Sequence, residues 1–155
     1  MRYRYKGLPL ASFAPLFAMS DADLAEKGFR RMVADEKPGF PCRVTLEDAE
    51  PGERVLLVTY THQDAHSPYK SSGAIFVREN AREAYDRVDE VPPVLRERLL
   101  SLRAYDEAGM MLDAEIVEGR QIEPLLKRFF AADKTAYVHV HNARRGCFAC
   151  SVERA

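Results

Sequence analysis

The chain contains no tryptophan, only three cysteines and no excess of either charge: 23 Lys and Arg stand against 24 Asp and Glu in 155 residues, a net charge of −1. Each shortage excludes something. Cys42, Cys147 and Cys150 are an odd number in a chain long enough to build a core without disulfides, so a reducing compartment is expected and the protein reads as cytoplasmic. The balanced charge argues against a general nucleic-acid binder, which needs a basic excess to displace counterions. No apolar run approaches the ~20 residues that cross a bilayer. There is no Gly-x-Gly-x-x-Gly for a dinucleotide and no Gly-x-Ser-x-Gly elbow for a serine nucleophile. Lys70-Ser71-Ser72-Gly73 lacks the preceding glycines and following helix of a phosphate-binding loop.

What remains is ordinary globular material, 46% hydrophobic and 30% charged, sized for a single domain over residues 1–155. Arg2, Arg4 and Lys6 precede a partly apolar stretch, but Pro9, Ser12 and Pro15 interrupt it, so a first strand and a short helix are expected rather than a leader. Ser20 with Asp23 three residues on opens a helix that Gly28 closes. Strands are expected near Phe29–Val33, at Cys42–Leu46, at Val55–Thr61 and at Ala74–Val77. Asn80 with Glu83 can cap a short charged helix, and Pro92-Pro93 starts another that runs to Leu99.

Two hairpins and a helix make up the last third. Leu100, Leu102 and Ala104 alternate with polar neighbours, as do Leu112, Ala114 and Ile116. A three-residue loop at Glu107-Ala108-Gly109 with Gly109 left-handed sets Ala104 opposite Leu112 and Leu102 opposite Ala114. Ile122, Leu125, Leu126, Phe129 and Phe130 form one apolar helical stripe, with Pro124 tolerated in its first turn. A second hairpin around Arg144-Arg145-Gly146 pairs Ala143 with Cys147, Val140 with Cys150 and Val138 with Val152. That register buries Val138, Val140, Phe148, Cys150 and Val152, and places Tyr137, His139, His141, Cys147, Ala149 and Ser151 on the other face.

The fold expected from this pattern is α+β: a mainly antiparallel, twisted sheet of six to eight strands with three or four short helices, the last packed on the sheet. His139-x-His141 puts two imidazoles on one strand face, where they can ligate a metal if His62, His66 or Cys147 adds a third donor. Two histidines hydrogen-bonding on a half-exposed sheet would look the same. Cys147-x-x-Cys150 on a strand sends its sulfurs to opposite faces, so a redox or zinc pair is not expected. Cys42 is either a nucleophile or an inert buried thiol. The long polar connection from His62 to Gly73 adds His66, Tyr69, Ser71 and Ser72, which with Arg43 could position a small polar or anionic ligand.

Several segments together resemble domain-of-unknown-function family 1203. They are Asp35-Glu36-Lys37-Pro38-Gly39-Phe40-Pro41-Cys42-Arg43 with Leu46 to Gly52, Ser67-Pro68-Tyr69 with Ser72 to Val77, Leu99 to Asp106, and Tyr137 to Gly146. The resemblance implies a small stand-alone bacterial protein and carries no catalytic role with it.

Three functional readings follow. In the first, a small-molecule site, enzymatic or not, lies between the His139/His141 face and the His62–Gly73 loop, with His139 and His141 as metal ligands or acid–base groups. In the second, the chain is a protein-interaction module without chemistry, forming a homodimer or partner complex through a sheet edge or the charged segment Arg78 to Arg98. The third, single-stranded nucleic-acid binding through Arg2, Arg4, Arg144 and Arg145, is disfavoured by the charge balance.

Overall fold

A computed structural model describes residues 1–155. Its strands are β1 (Tyr3–Lys6), β2 (Arg30–Val33), β3 (Arg54–Gln63), β4 (Ser71–Arg78), β5 (Asp86–Val88), β6 (Leu99–Tyr105), β7 (Met111–Glu118), β8 (Tyr137–Asn142) and β9 (Phe148–Arg154). The helices are α1 (Ala14–Phe17), α2 (Asp21–Glu26), α3 (Pro93–Arg96) and α4 (Ile122–Phe130). The strands form two antiparallel sheets, one of six in the order β5-β1-β9-β8-β6-β7 and one of three in the order β2-β3-β4. The class is α+β, as the sequence pattern predicts. No helix is long and apolar enough to cross a membrane.

Each sheet has its own core. Ile122, Leu125, Leu126, Phe129 and Phe130 of α4 all turn inward, against Leu100 and Leu102 of β6, Val138 and Val140 of β8 and Val152 of β9. On the small sheet, Leu56 and Val58 of β3 with Ile75 and Val77 of β4 enclose Phe13 and Leu24. Leu24 is held there by α2, whose first turn is capped as expected: Ser20 Oγ accepts the Asp23 N–H at 3.1 Å, and Gly28 leaves the helix at φ +80°.

Residues 42–46 join the two cores, which is why the strand expected there does not form. Cys42 and Val44 belong to the small-sheet core and Leu46 to the large one. An extended strand sends alternate side chains one way, and residues that must anchor in two bodies cannot all obey that period. The chain coils instead: Cys42 O accepts the Leu46 N–H at 3.0 Å, and Leu46 takes φ 55°. The helix expected at Asn80–Glu83 is likewise absent. Three residues beyond it, Asp86–Val88 pair with β1 as a sheet edge. The Pro92-Pro93 helix stops at Arg96, because Leu99 already belongs to β6.

Both late hairpins turn where expected and then slip by one residue at a bulge. The Glu107–Gly109 loop closes with Gly109 at φ 78° and Asp106 accepting the Gly109 N–H. Tyr105 pairs Met111, but Leu112 is bulged out, so Ala104 faces Asp113 and Leu102 faces Glu115. Matching apolar faces fails here because β7 is an edge strand: Leu112 and Ile116 are 42% and 58% exposed. Burial does not constrain the register of such a strand. In the second hairpin, Val140–Cys150 and Val138–Val152 pair as predicted. A bulge at Ala149 then sets His141 opposite Phe148, and Asn142 instead of Ala143 bonds to Cys147 across the turn. Ala149 enters the core, and Phe148 swings to the histidine face.

Candidate functional site

The histidine face and a neighbouring cavity meet at the β8–β9 turn. β8 turns His139 and His141 away from α4, and β3 brings His62 to them from the other sheet. β3 carries one extra residue between Tyr60 and Gln63, opposite the Ser71–Gly73 run of β4, and this irregularity aims His62 inward. The His62 ring lies 5.1 Å from His141 and 6.5 Å from His139, centroid to centroid. Phe148 stacks on His62 at 5.3 Å and meets His139 and His141 edge-on at 5.1 and 5.8 Å. Tyr105 and Tyr137 pack on the remaining side of His139 at 5.2 and 5.0 Å.

Burial sets the electrostatics of this cluster. His139 and His141 are 7% and 1% exposed. Desolvation drives their pKa values down, to about 3 and about 4, helped by Arg103 and by the neighbouring rings. His62 shifts the same way, first through burial and then through Arg103. All three rings are therefore neutral at pH 7. His141 Nδ1 lies 2.9 Å from the Gly146 carbonyl, so it carries the ring proton and Nε2 is left as a bare lone pair. His141 Nε2, His139 Nδ1 and His62 Nδ1 are buried without a partner. In this conformation no three His, Cys, Asp or Glu side chains converge to hold a metal ion.

From the rest of the His62–Gly73 segment, Gln63 and Tyr69 reach the tyrosines beside His139, while His66, Ser71 and Ser72 do not join the cluster. β3 continues through Gln63 and β4 begins at Ser71, which shortens the expected loop to residues 64–70. His66 is exposed. Ser71 and Ser72 are exposed on β4, and Ser72 Oγ lies 2.7 Å from Thr61 Oγ1. Tyr69 sits edge-on to Tyr105 at 6.2 Å and is exposed to solvent. The segment supplies a sheet-to-sheet strut instead: Gln63 Nε2 donates to Tyr137 Oη at 3.1 Å and Ser67 Oγ to the Gly109 carbonyl at 2.9 Å.

Arg43 lies on the other side of Phe148. Its guanidinium is 2% exposed and spans the two halves of the molecule, with Nε donating to the Phe148 carbonyl at 2.7 Å and Nη1 to the Pro41 carbonyl at 2.6 Å. No carboxylate lies within ion-pair distance of it. Desolvation lowers its pKa, and the leading opposing influences are the thiols of Cys147 and Cys42. A guanidinium cannot shed its charge as an imidazole can, so it stays cationic.

Arg43 forms part of the wall of a cavity of about 420 Å³. Arg98, Arg144 and Arg145 add to the cationic lining, and Met32, Phe40, Pro41 and Phe76 supply its apolar part. Arg98 is neutralised by Asp48 in a two-pronged pair at 2.6 and 3.0 Å. Arg144 and Arg145 are exposed and unpaired, and Glu36 is the one acidic residue of the lining. Asn142 Nδ2 donates to Cys147 Sγ at 3.4 Å, and its buried Oδ1 has no partner.

Of the residues singled out from sequence, His62, His139 and His141 come together, and Arg43 sits next to them on a different cavity. The sequence reading misses Arg98, Asn142 and Cys147 as companions of Arg43, and places Arg144 and Arg145 only in a hairpin turn and a nucleic-acid alternative. Arg2 and Arg4, the other half of that alternative, are engaged by Asp89 and Asp86 at 2.9 and 2.7 Å. One signal was available: three arginines with a cysteine among them, at 43, 144, 145 and 147, near two predicted turns. Nothing short of the fold joins the first to the others.

No curated protein and no solved structure matches the chain. A family model described as protein of unknown function, DUF1203, matches residues 39–154, which include Arg43, the three clustered histidines and the whole β8–β9 hairpin. By that match the chain is a member of the DUF1203 family.

Proposed function

We propose that the protein binds a small anionic molecule in the arginine-walled cavity beside the β8–β9 turn. One observation carries the reading. Arg43 is a buried cation with no anion of its own, on the wall of a cavity with space for one. Burying a charge without a counter-ion is costly, and a ligand carboxylate or phosphate supplies the missing negative charge. Arg144 and Arg145 add exposed positive charge at the mouth, where it raises the local concentration of anions. The apolar part of the lining suits a ligand that carries a hydrophobic or aromatic body behind its charged group.

Calorimetric titration with phenyl phosphate at low ionic strength tests this. Saturable binding is expected, weakened about tenfold or more in an Arg144→Ala/Arg145→Ala variant and unaffected by His139→Gln/His141→Gln. Equal heats from phenethylamine, a cation of similar size, would refute it.

A second reading attaches to the three unpartnered imidazole nitrogens. Neutral histidines are the form a transition metal binds, and a Gly146 carbonyl fixing His141 Nδ1 is the outer-shell arrangement that orients such a ligand. Three imidazoles on a tetrahedral ion put ring centroids about 5 Å apart, which the His62–His141 spacing of 5.1 Å meets and the His62–His139 spacing of 6.5 Å exceeds. Elemental analysis of untagged protein purified without chelator is the check. Stoichiometric metal that disappears in His139→Ala/His141→Ala would support this reading; none in either sample would remove it.

A further inference from the structure

The three thiols have very different surroundings. Cys42 Sγ is fully buried and accepts the backbone N–H groups of Thr45 and Arg78 at 3.5 and 3.3 Å. Cys150 is fully buried opposite Val140, and desolvation pushes its thiol pKa far up. Both are core atoms. Cys147 alone is partly accessible, on the wall of the arginine cavity. Asn142 Nδ2 donates to its sulfur at 3.4 Å, and Arg43, Arg144 and Arg145 line the same cavity. The exposed charges of Arg144 and Arg145 draw anionic reagents toward this accessible thiol.

Two candidate proton-transfer groups beside the cavity are engaged, while Glu36 is exposed on its lining. The nearest histidine, His141, is neutral and holds the Gly146 carbonyl through its protonated nitrogen. Asp48 is tied to Arg98. Thiol–disulfide exchange at Cys147 uses none of these groups, since its leaving group departs as a stable thiolate and needs no general acid.

We infer that Cys147 is a nucleophile toward small acidic disulfides drawn into the arginine cavity. The inference rests on the anion-binding reading and names its substrate class. In the step, Cys147 Sγ⁻ attacks one sulfur of the incoming disulfide, the new S–S bond forms, and the old one breaks. Cys147 is oxidised to the mixed-disulfide level, and the departing half leaves reduced, as a thiolate carrying the electron pair. Cys150 cannot resolve the product, because its sulfur lies in the core on the other face of β9. The adduct therefore persists until an external thiol removes it.

The test compares the dianionic aromatic disulfide 5,5′-dithiobis(2-nitrobenzoate) with neutral 4,4′-dithiodipyridine, each rate being divided by that of 2-mercaptoethanol. The expected result on the native protein is a single adduct by mass, on Cys147 and absent in Cys147→Ser. The anionic reagent should be favoured about tenfold or more at low salt, and the preference should vanish in Arg144→Ala/Arg145→Ala. Adducts on Cys42 or Cys150, or labelling with no charge preference, would overturn the inference. Pyrophosphate titrated into the unmodified protein separates the two levels: if it binds while Cys147 shows no preference, the cavity reading stands and the nucleophile fails. If it does not bind, the reading beneath fails as well.

Discussion

Two buried sites flank Phe148, and they resolve the cost of burial in opposite ways. On one side, His62, His139 and His141 give up their charge: desolvation lowers each pKa until the rings are neutral and pack as aromatics against Phe148, Tyr105 and Tyr137. On the other, Arg43 has no neutral form within reach and keeps its charge at 2% exposure, held by two carbonyls and no carboxylate. A histidine cluster can satisfy its electrostatics alone. A buried arginine facing a cavity cannot, and that asymmetry makes the arginine side the better candidate for a ligand site, although the histidines are the more conspicuous residues in the sequence.

The largest expected effect comes from forcing the histidines to behave like the arginine. Their folded pKa values lie below the unfolded one near 6.5, so the unfolded state binds protons first and stability falls as pH drops from about 6.5 toward 4 and 3. Each of the two contributes a slope of up to about 1.4 kcal/mol per pH unit in that window. Thermal melts from pH 7.5 to 4 should show a steep loss that His139→Gln/His141→Gln flattens. An unchanged slope in the variant would mean the rings are already charged or solvated in the folded state.

Removing the arginine charge comes next. Arg43→Met leaves the Pro41 and Phe148 carbonyls without donors, at about 1–3 kcal/mol each, so urea unfolding should show a loss of that order. Anion binding should disappear with it. A gain in stability would show that the buried charge is a larger burden than its two hydrogen bonds offset, which separates its role in folding from its role in binding.

Arg144→Ala/Arg145→Ala should change little in the melt, within about 0.5 kcal/mol for exposed residues. Calorimetry should show its effect on affinity alone. The smallest effects belong to the β3–β4 connection. His66→Ala and Ser72→Ala should leave phenyl phosphate binding within error, and a clear loss with either would return the site to that loop.

The comparison also marks how far the sequence carries. The α4 stripe, the Ser20 cap, the position of both late turns and the pairing of Val138 with Val152 follow from local period and turn chemistry. The failures lie where one residue answers to two bodies. Leu46 and Val44 anchor in different cores, so residues 42–46 coil instead of extending. Ala149 bulges into the core and turns Phe148 toward the histidines, a slip that a strict period of two cannot express. His139 and His141 share a face by strand alternation alone and were legible. The Arg43 cavity was not, because it joins residues about a hundred positions apart at a coil and a bulged hairpin.

The central claim, that the unpaired Arg43 charge awaits an anion, is best tested by NMR titration of the wild-type protein with phenyl phosphate, following the Arg43 Nε–H and the amides of Arg144 to Cys147. The account predicts saturable shifts at those groups and none at the His62, His139 and His141 rings. Shifts confined to the histidines, or none anywhere at saturating ligand, would contradict it.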